Sequence, residues 1–273
     1  MAKAKNTTPV RSANKPEGKV GVQSVGKALA ILELFGEDNP AMSISEIAAG
    51  TGLNRATAYR FCQTLLSLGY LEELGKGELR PGLKAISLAR AALGSRELPE
   101  LAVPYLRDLQ SQTHETVNMA LLDGDEVVYV ARLLSDHLLA LRLFVGSRLS
   151  AIGSSLGRAM VAFLPDEEID AMLARSKLES TTQRSITDPE KLRAELRKIR
   201  SRGYAVNDQE LVIGVTGVAA PVFGLSGRPL AAINLSISHP VKASEIHDEL
   251  APLVLQTARS ISDLATRLAL DSV

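Results

Sequence analysis

Cysteine is almost missing from this sequence. The single one, Cys62, cannot form an internal disulfide, and no cysteine–histidine cluster has the spacing that a structural zinc requires. Also missing is any run of about eighteen apolar residues, the least that crosses a bilayer. The first twenty residues carry Lys3, Lys5, Arg11, Lys15 and Lys19, but no apolar segment follows to make a signal peptide. These absences predict a cytoplasmic protein without a membrane partner. A net charge is lacking too: 31 basic residues meet 31 acidic ones. That excludes a strongly basic nonspecific nucleic-acid coat and leaves room for a binder that concentrates charge locally.

What is present suffices for ordinary cores, with 45% hydrophobic and 23% charged residues. At 273 residues the chain has room for two modest domains. Residues 1–20 are polar and basic and read as a disordered tail. From Ser24, Val25, Ala28, Leu29, Ile31, Leu32 and Phe35 recur at helical spacing until Gly36 and Asn39-Pro40. Ser43 stands three residues before Glu46, the capping-box spacing, and opens a short helix. Thr51-Gly52-Leu53 makes a turn, and Asn54 caps a further helix over residues 55–68. This is helix-turn-helix punctuation. Two short strands around Gly75-Lys76-Gly77 then form a hairpin wing.

The second helix places Ala58, Phe61, Cys62, Leu65, Leu66 and Leu68 on one face and Tyr59, Arg60, Gln63, Thr64 and Ser67 on the other. Arginine and glutamine match the major-groove edges of guanine and adenine, so Arg60, Gln63 and Thr64, with Tyr59 on the same polar face, are candidate base readers. Asn54, Arg55 and Thr57 at the helix start, and Lys76 at the wing tip, are candidate phosphate contacts. The plain alternative is a solvated helix face; the ordered succession of cap, glycine turn, polar helix and hairpin favours DNA.

Pro81-Gly82 breaks the chain before a linker helix over 83–93. Beyond it an amphipathic helix over 98–113 leads to strands at 117–122 and 126–132 about Asp123-Gly124. Further strands are expected at 139–144, 204–207, 215–223 and 229–237, and further helices at 156–163, 166–174, 189–201 and 244–268. This irregular alternation predicts an α+β fold, an antiparallel sheet covered by helices. The domain limits follow: a tail over 1–20, a winged helix-turn-helix over 21–81, a linker over 82–96, and an effector-binding and oligomerisation domain over 97–273.

No catalytic set emerges. His114, His137, His239 and His247 are scattered, Cys62 falls on an apolar face, and Gly224-Leu-Ser-Gly-Arg228 lacks the order of a nucleophile elbow. No cofactor or metal is expected. Gly153-Ser-Ser-Leu-Gly157 is either an ordinary loop or a place where backbone amides face an anion.

Together these segments resemble the IclR family of bacterial transcriptional regulators. The residues that carry the likeness are Ser24 to Leu32, Ser45 to Arg60, Leu68-Gly-Tyr70, Glu115 to Asn118, Leu122 to Arg132, Val145 to Leu149, and Gly203 through Gly214 to Val222. The resemblance implies a winged helix, a linker helix and a GAF-like effector domain, working as a homodimer or homotetramer on double-stranded operator DNA. It implies a repressor of a catabolic operon and an effector pocket at Ser155, Leu156, Asn207, Val215, Gly217, Asn234 and Ser236. Family members often carry an acid at position 207 and a cysteine or serine at 217. Gly217 is therefore expected to enlarge the cavity, and Asn207 to remove a repelling charge. Ser150 and Ile152 likewise replace a frequent proline and histidine. The expected effector is a small organic acid, a carboxylate of aromatic type, held by loop amides, Ser155 and Asn234. Asn207-Asp-Gln-Glu-Leu211 is similar to the branch that controls hydroxybenzoate-type catabolism. The competing reading is an enzyme or metabolite-binding protein whose winged helix makes protein contacts only.

Overall fold

The computed structural model describes residues 22–36, 39–94, 97–135 and 143–270, the side chains of Lys76, Leu93 and Gly94 excepted. The expected tail therefore lies outside the described residues, as does His137. The chain divides into two compact units between Ala92 and Leu93.

In the first unit, helices α1 (Gln23–Leu32), α2 (Ile44–Thr51) and α3 (Arg55–Ser67) close on a small core of Ile31, Met42, Ile47, Ala48, Ala58, Cys62, Leu65, Leu71 and Leu79. The capping box is formed: Ser43 Oγ accepts from the Glu46 amide at 3.3 Å, and Glu46 Oε2 accepts from the Ser43 amide at 2.8 Å. The Ser43 amide and hydroxyl, both donating to Glu46 Oε2, hold the Glu46 carboxyl below its ordinary range. Gly52 ends α2 in the left-handed region at φ +68°, where a side chain would be strained. Asn54 Oδ1 then accepts from the Thr57 amide at 2.8 Å and starts α3.

The wing is β2 (Leu71–Leu74) paired antiparallel with β3 (Glu78–Pro81) around a tight 3₁₀ turn over Gly75–Gly77. A two-residue strand, β1 (Met42–Ser43), adds to the other edge of β3; it was not expected, because two residues carry no periodicity. Leu68 is a correction. It caps α3 instead of continuing its apolar face and is exposed. Helix α4 (Lys84–Gly94) follows the wing.

The second unit is a six-stranded antiparallel sheet in the order β6-β5-β4-β9-β8-β7. Its strands are β4 (Thr116–Asp123), β5 (Glu126–Leu133), β6 (Arg148–Ser150), β7 (Ala205–Asp208), β8 (Thr216–Phe223) and β9 (Pro229–Ile237). Strand alternation sorts the side chains. Val117, Met119, Leu121, Val218, Ala220, Val222, Ile233 and Leu235 pack under α5 (Glu97–Thr113) and the C-terminal helix. Ala120, Ala205, Ala219 and Ala232 face α6 (Ser155–Val161), α7 (Asp166–Arg175) and α8 (Pro189–Arg202), and their small size lets α6 lie close to the sheet.

Several expectations shift. The helix expected over 244–268 is α9 (Ala243–Glu245), a π turn at Ile246–Leu250 and α10 (Ala251–Arg267). In the strand expected over 139–144, residues 139–142 lie outside the described residues; Leu143 and Phe144 precede β6 without strand pairing. Strand β6 was not expected, since its pairing with β5 rests on three residues.

Candidate functional site

Two places hold most of the polar side chains that the sequence singled out. The first is the outer face of α3. Arg60, Gln63, Thr64 and Ser67 recur at i, i+3, i+4 and i+7, and all are exposed, as are Arg55 and Tyr59. Thr64 Oγ1 donates to the Arg60 carbonyl at 3.1 Å, leaving its lone pairs outward. Asn54 and Thr57 are already engaged in capping, and Thr57 is half-buried. The Lys76 side chain lies outside the described residues. Cys62 is fully buried on the opposite face, and burial pushes its thiol up, away from a reactive thiolate.

The second place is the α6 face of the sheet. Asn118 on β4 stands opposite Arg132 on β5 and Asn234 on β9; Gly217 on β8 stands opposite Asn207 on β7 and Ser236 on β9. Side chains join them into a chain. Arg132 Nη1 donates to Asn118 Oδ1 at 3.2 Å, and Asn118 Nδ2 donates to Asn234 Oδ1 at 2.8 Å and to Ser236 Oγ at 3.1 Å. Asn234 Nδ2 in turn donates to Ser155 Oγ at 3.2 Å. Asn118, Asn234 and Ser155 are buried, whereas Arg132 and Ser236 are half-buried and form the open end. Tyr129 is buried on the same strand as Arg132, and desolvation pushes its phenol up to about 12, against the opposing pull of the Arg132 charge.

The expected pocket residues separate on this frame. Ser155, Asn234 and Ser236 share the chain of hydrogen bonds. Asn207 is committed elsewhere: its Nδ2 donates to the Gly153 carbonyl at 3.0 Å and its Oδ1 accepts from the Glu210 amide at 3.2 Å. An aspartate would keep the second bond and lose the first, so the amide contributes a donor as well as removing a charge. Gly217 does not open space. A Cβ there would lie 2.5 Å from Ser155 Oγ, so the volume left by the missing side chain is filled by Ser155. Leu156 is fully buried in the core beneath α6, and Val215 is buried beside β8. Two of the loop amides are taken, Gly153 N by Ser150 Oγ and Gly157 N by Ser154 Oγ.

Behind this face lies an ion pair that sequence reasoning missed. Arg158 is 2% exposed and binds Glu210 in bidentate fashion, Nη1 to Oε1 at 2.9 Å and Nη2 to Oε2 at 2.7 Å. Its Nε donates to the Ile152 carbonyl at 2.6 Å. Thr181 and Ser185 hydroxyls donate to the Glu210 carbonyl at 2.8 and 2.7 Å, and Thr182 to that of Gln209 at 2.8 Å. Arg158 thereby fastens the loop before α6 to the loop after β7. Asn118 and Arg132 were also missed as site residues. The signal for them was a polar side chain within a largely apolar strand.

At the end of β9, His239 Nε2 meets buried Glu115 Oε1 at 2.6 Å. That bond, the Pro240 carbonyl and the charge of Glu245 raise the His239 pKa, desolvation opposing them. A histidine raised above its unfolded value of about 6.5 stabilises the fold below that pH, and the contribution disappears as pH rises through the folded value. Thermal melts of the wild type are therefore expected to lose more stability between about pH 6 and pH 8 than those of His239→Gln. Equal pH slopes for the two proteins would contradict this assignment.

Comparison with known proteins decides what this architecture belongs to. The family model for the IclR helix-turn-helix domain matches residues 24–75, and that for the C-terminal region of IclR bacterial transcriptional regulators matches residues 90–263. This chain belongs to the IclR family. Among IclR-family relatives, the Pca regulon regulatory protein of Pseudomonas putida is 36% identical over 242 residues, 87% of this chain and 82% of that one. The transcriptional repressor IclR of Escherichia coli strain K12 is 32% identical over 248 residues, 88% and 89% of the two chains. The crystal structure of Thermotoga maritima IclR superimposes with a TM-score of 0.74 at 28% identity, covering 89% of this chain and 98% of that one. The IclR fold thus places the polar face of α3 on its helix-turn-helix and the polar chain inside its C-terminal α+β domain.

Proposed function

We propose that this IclR-family chain is a ligand-responsive transcriptional regulator, a repressor of a catabolic operon, that senses a small organic acid of aromatic type. Residues 21–81 bind operator DNA, 82–96 form the linker, and 97–273 bind the effector and oligomerise. The observation that carries the reading is the exposed Arg60–Gln63–Thr64–Ser67 face on a doubly capped helix-turn-helix, in a chain whose second unit buries a polar row. Arg60 and Gln63 read bases, Arg55 and Lys76 hold phosphates, and Asn54 and Thr57 set the angle of the helix start. Ser155, Asn234 and Ser236 face the acid, while Asn207, Leu156, Val215 and Gly217 shape the surrounding wall. The protein acts in the cytoplasm; among the described residues no helix is long and apolar enough to cross a membrane.

A homo-oligomer is part of the same proposal. Val22, Val25 and Leu29 make an exposed apolar stripe on and before α1, and Leu83, Ile86 and Leu88 are exposed on and before α4. Such stripes call for a partner surface, and two copies read two operator half-sites. Ligand acts by binding one arrangement of the oligomer better than another, and shifts the equilibrium only by that difference.

The test is fluorescence anisotropy with the chain's own upstream DNA and an unrelated duplex at two salt concentrations. The wild type is expected to prefer its operator, and Arg60→Ala to weaken operator binding by roughly 1–3 kcal/mol per half-site while leaving binding to the unrelated duplex almost unchanged. Equal binding to both duplexes, with no site recovered by genome-wide selection, would overturn the reading.

A further inference from the structure

The row of amides on the effector face has a fixed direction, and Arg132 sets it. A guanidinium only donates hydrogen bonds. Its contact with Asn118 at 3.2 Å therefore holds the Asn118 oxygen toward β5 and turns the Asn118 NH₂ toward β9. The NH₂ donates to both Asn234 Oδ1 and Ser236 Oγ, so Asn234 in turn must direct its own NH₂ at Ser155 Oγ. Both terminal hydroxyls are thus used as acceptors. Neither hydroxyl hydrogen meets an acceptor among the described residues.

We infer that Arg132, acting through Asn118 and Asn234, fixes the proton direction of this row so that Ser155 and Ser236 present O–H donors to the effector, making the site select an anionic carboxylate over its neutral amide. The inference rests on the proposed effector site and adds the origin of its selectivity. A carboxylate only accepts, and two outward donors match it. A carboxamide sets an NH₂ against one of those donors and loses a charge-assisted bond. Arg132 and Asn118 are positioning residues here, since their effect passes through the side chains that face the ligand.

Asn118→Asp is the informative variant because it keeps the shape and reverses the direction. The carboxylate introduced at position 118 has no N–H, so Asn234 must turn its NH₂ toward it and its oxygen toward Ser155. Ser155 then donates inward, as does Ser236, and both present lone pairs to the ligand.

The experiment is isothermal titration calorimetry of the full-length protein with 4-hydroxybenzoate and with 4-hydroxybenzamide, each variant being checked for its fold by circular dichroism. The wild type is expected to prefer the carboxylate by about tenfold or more. Asn118→Asp should reduce that ratio at least about tenfold, and Arg132→Met should reduce it too by releasing the direction of the row. Ser155→Ala and Ser236→Ala need no change in the amides, and each should weaken the carboxylate more than the carboxamide, whether or not Asn118→Asp folds. A ratio unchanged in all the folded variants would overturn the inference and leave the acid-effector reading standing. A wild type that binds neither probe, nor benzoate, adipate or pyruvate, would overturn both.

Discussion

Arg158→Met is expected to destabilise the C-terminal unit by about 3–5 kcal/mol, the range for breaking a buried ion pair from one side. The pair has little access to water, with Arg158 2% and Glu210 11% exposed. Removing the guanidinium leaves a carboxylate with no counter-charge in a site that water does not fill, and it frees the Ile152 carbonyl from its 2.6 Å bond. For a unit of this size the shift corresponds to a fall in Tm of about 10 °C. The reverse combination is equally diagnostic. Arg158→Met with Glu210→Met removes the orphaned charge and should recover much of the loss, because replacing a whole buried pair with apolar groups is often nearly neutral. Thermal melts of the two single variants and the double variant decide it. A single-variant cost below about 1 kcal/mol would mean that the pair is solvated and holds nothing. Because Arg158 joins the loops on either side of the proposed effector face, the single variant should also weaken effector binding, whereas the double variant tests whether stability alone restores it.

Gly157→Ala is expected to be as damaging, through shape instead of charge. A Cβ at position 157 would lie 2.0 Å from the Ala151 carbonyl oxygen, 2.3 Å from Ala151 Cα and 2.5 Å from its carbonyl carbon. All three are backbone atoms, so no side chain can rotate aside; either α6 or the preceding turn must move. Overpacking of a well-filled site costs about 1–3 kcal/mol, and more where backbone has to yield, so the expected loss is at the upper end or beyond. Movement of α6 would also withdraw Ser155 from Asn234. Melting temperature and effector affinity should therefore fall together. A variant with wild-type stability would show that the Ala151 turn is not packed on α6 in solution. Gly26, by contrast, has nothing within 4 Å of its would-be Cβ and should accept alanine without such a loss.

How far the sequence led is clearest in particular elements. The two caps at Ser43 and Asn54, the glycine turn and the polar face of α3 were all legible, because capping and helical amphipathicity act within a few residues. The strands over 116–123, 126–133, 216–223 and 229–237 were legible for a similar reason: eight or nine residues of apolar character bounded by turns outweigh local ambiguity. Strands β1 and β6 were not, since pieces of two and three residues exist only through their pairing with β3 and β5. The π turn within the last helix likewise left no mark in its periodicity.

The site divides along the same line. Ser155, Asn234 and Ser236, expected at the pocket from family resemblance, share one chain of hydrogen bonds; Gly217 does not open the space expected of it, and Asn207 supplies a donor besides removing a charge. A glycine in a sequence announces a missing side chain, and only packing tells whether the room is a cavity or, as here, the seat of Ser155. Arg158 and Glu210 are 52 positions apart, and Asn118 and Asn234 are 116 apart. No local pattern couples them.

By itself, then, the sequence determined the longer helices and strands and the helix-turn-helix with its outward Arg60 and Gln63, which follow from short-range hydrogen bonding and the repeat of apolar positions, while the family was read from the resemblance of its motifs. Tertiary structure alone decided that a row of hydrogen bonds runs from Arg132 through Asn118 and Asn234 to Ser155 and Ser236, that Arg158 is sealed against Glu210, and that α6 leaves no space at residues 157 and 217. Those outcomes depend on which side chains the sheet brings within hydrogen-bonding distance and on how closely two backbones pass, and neither quantity is written in any one stretch of the chain.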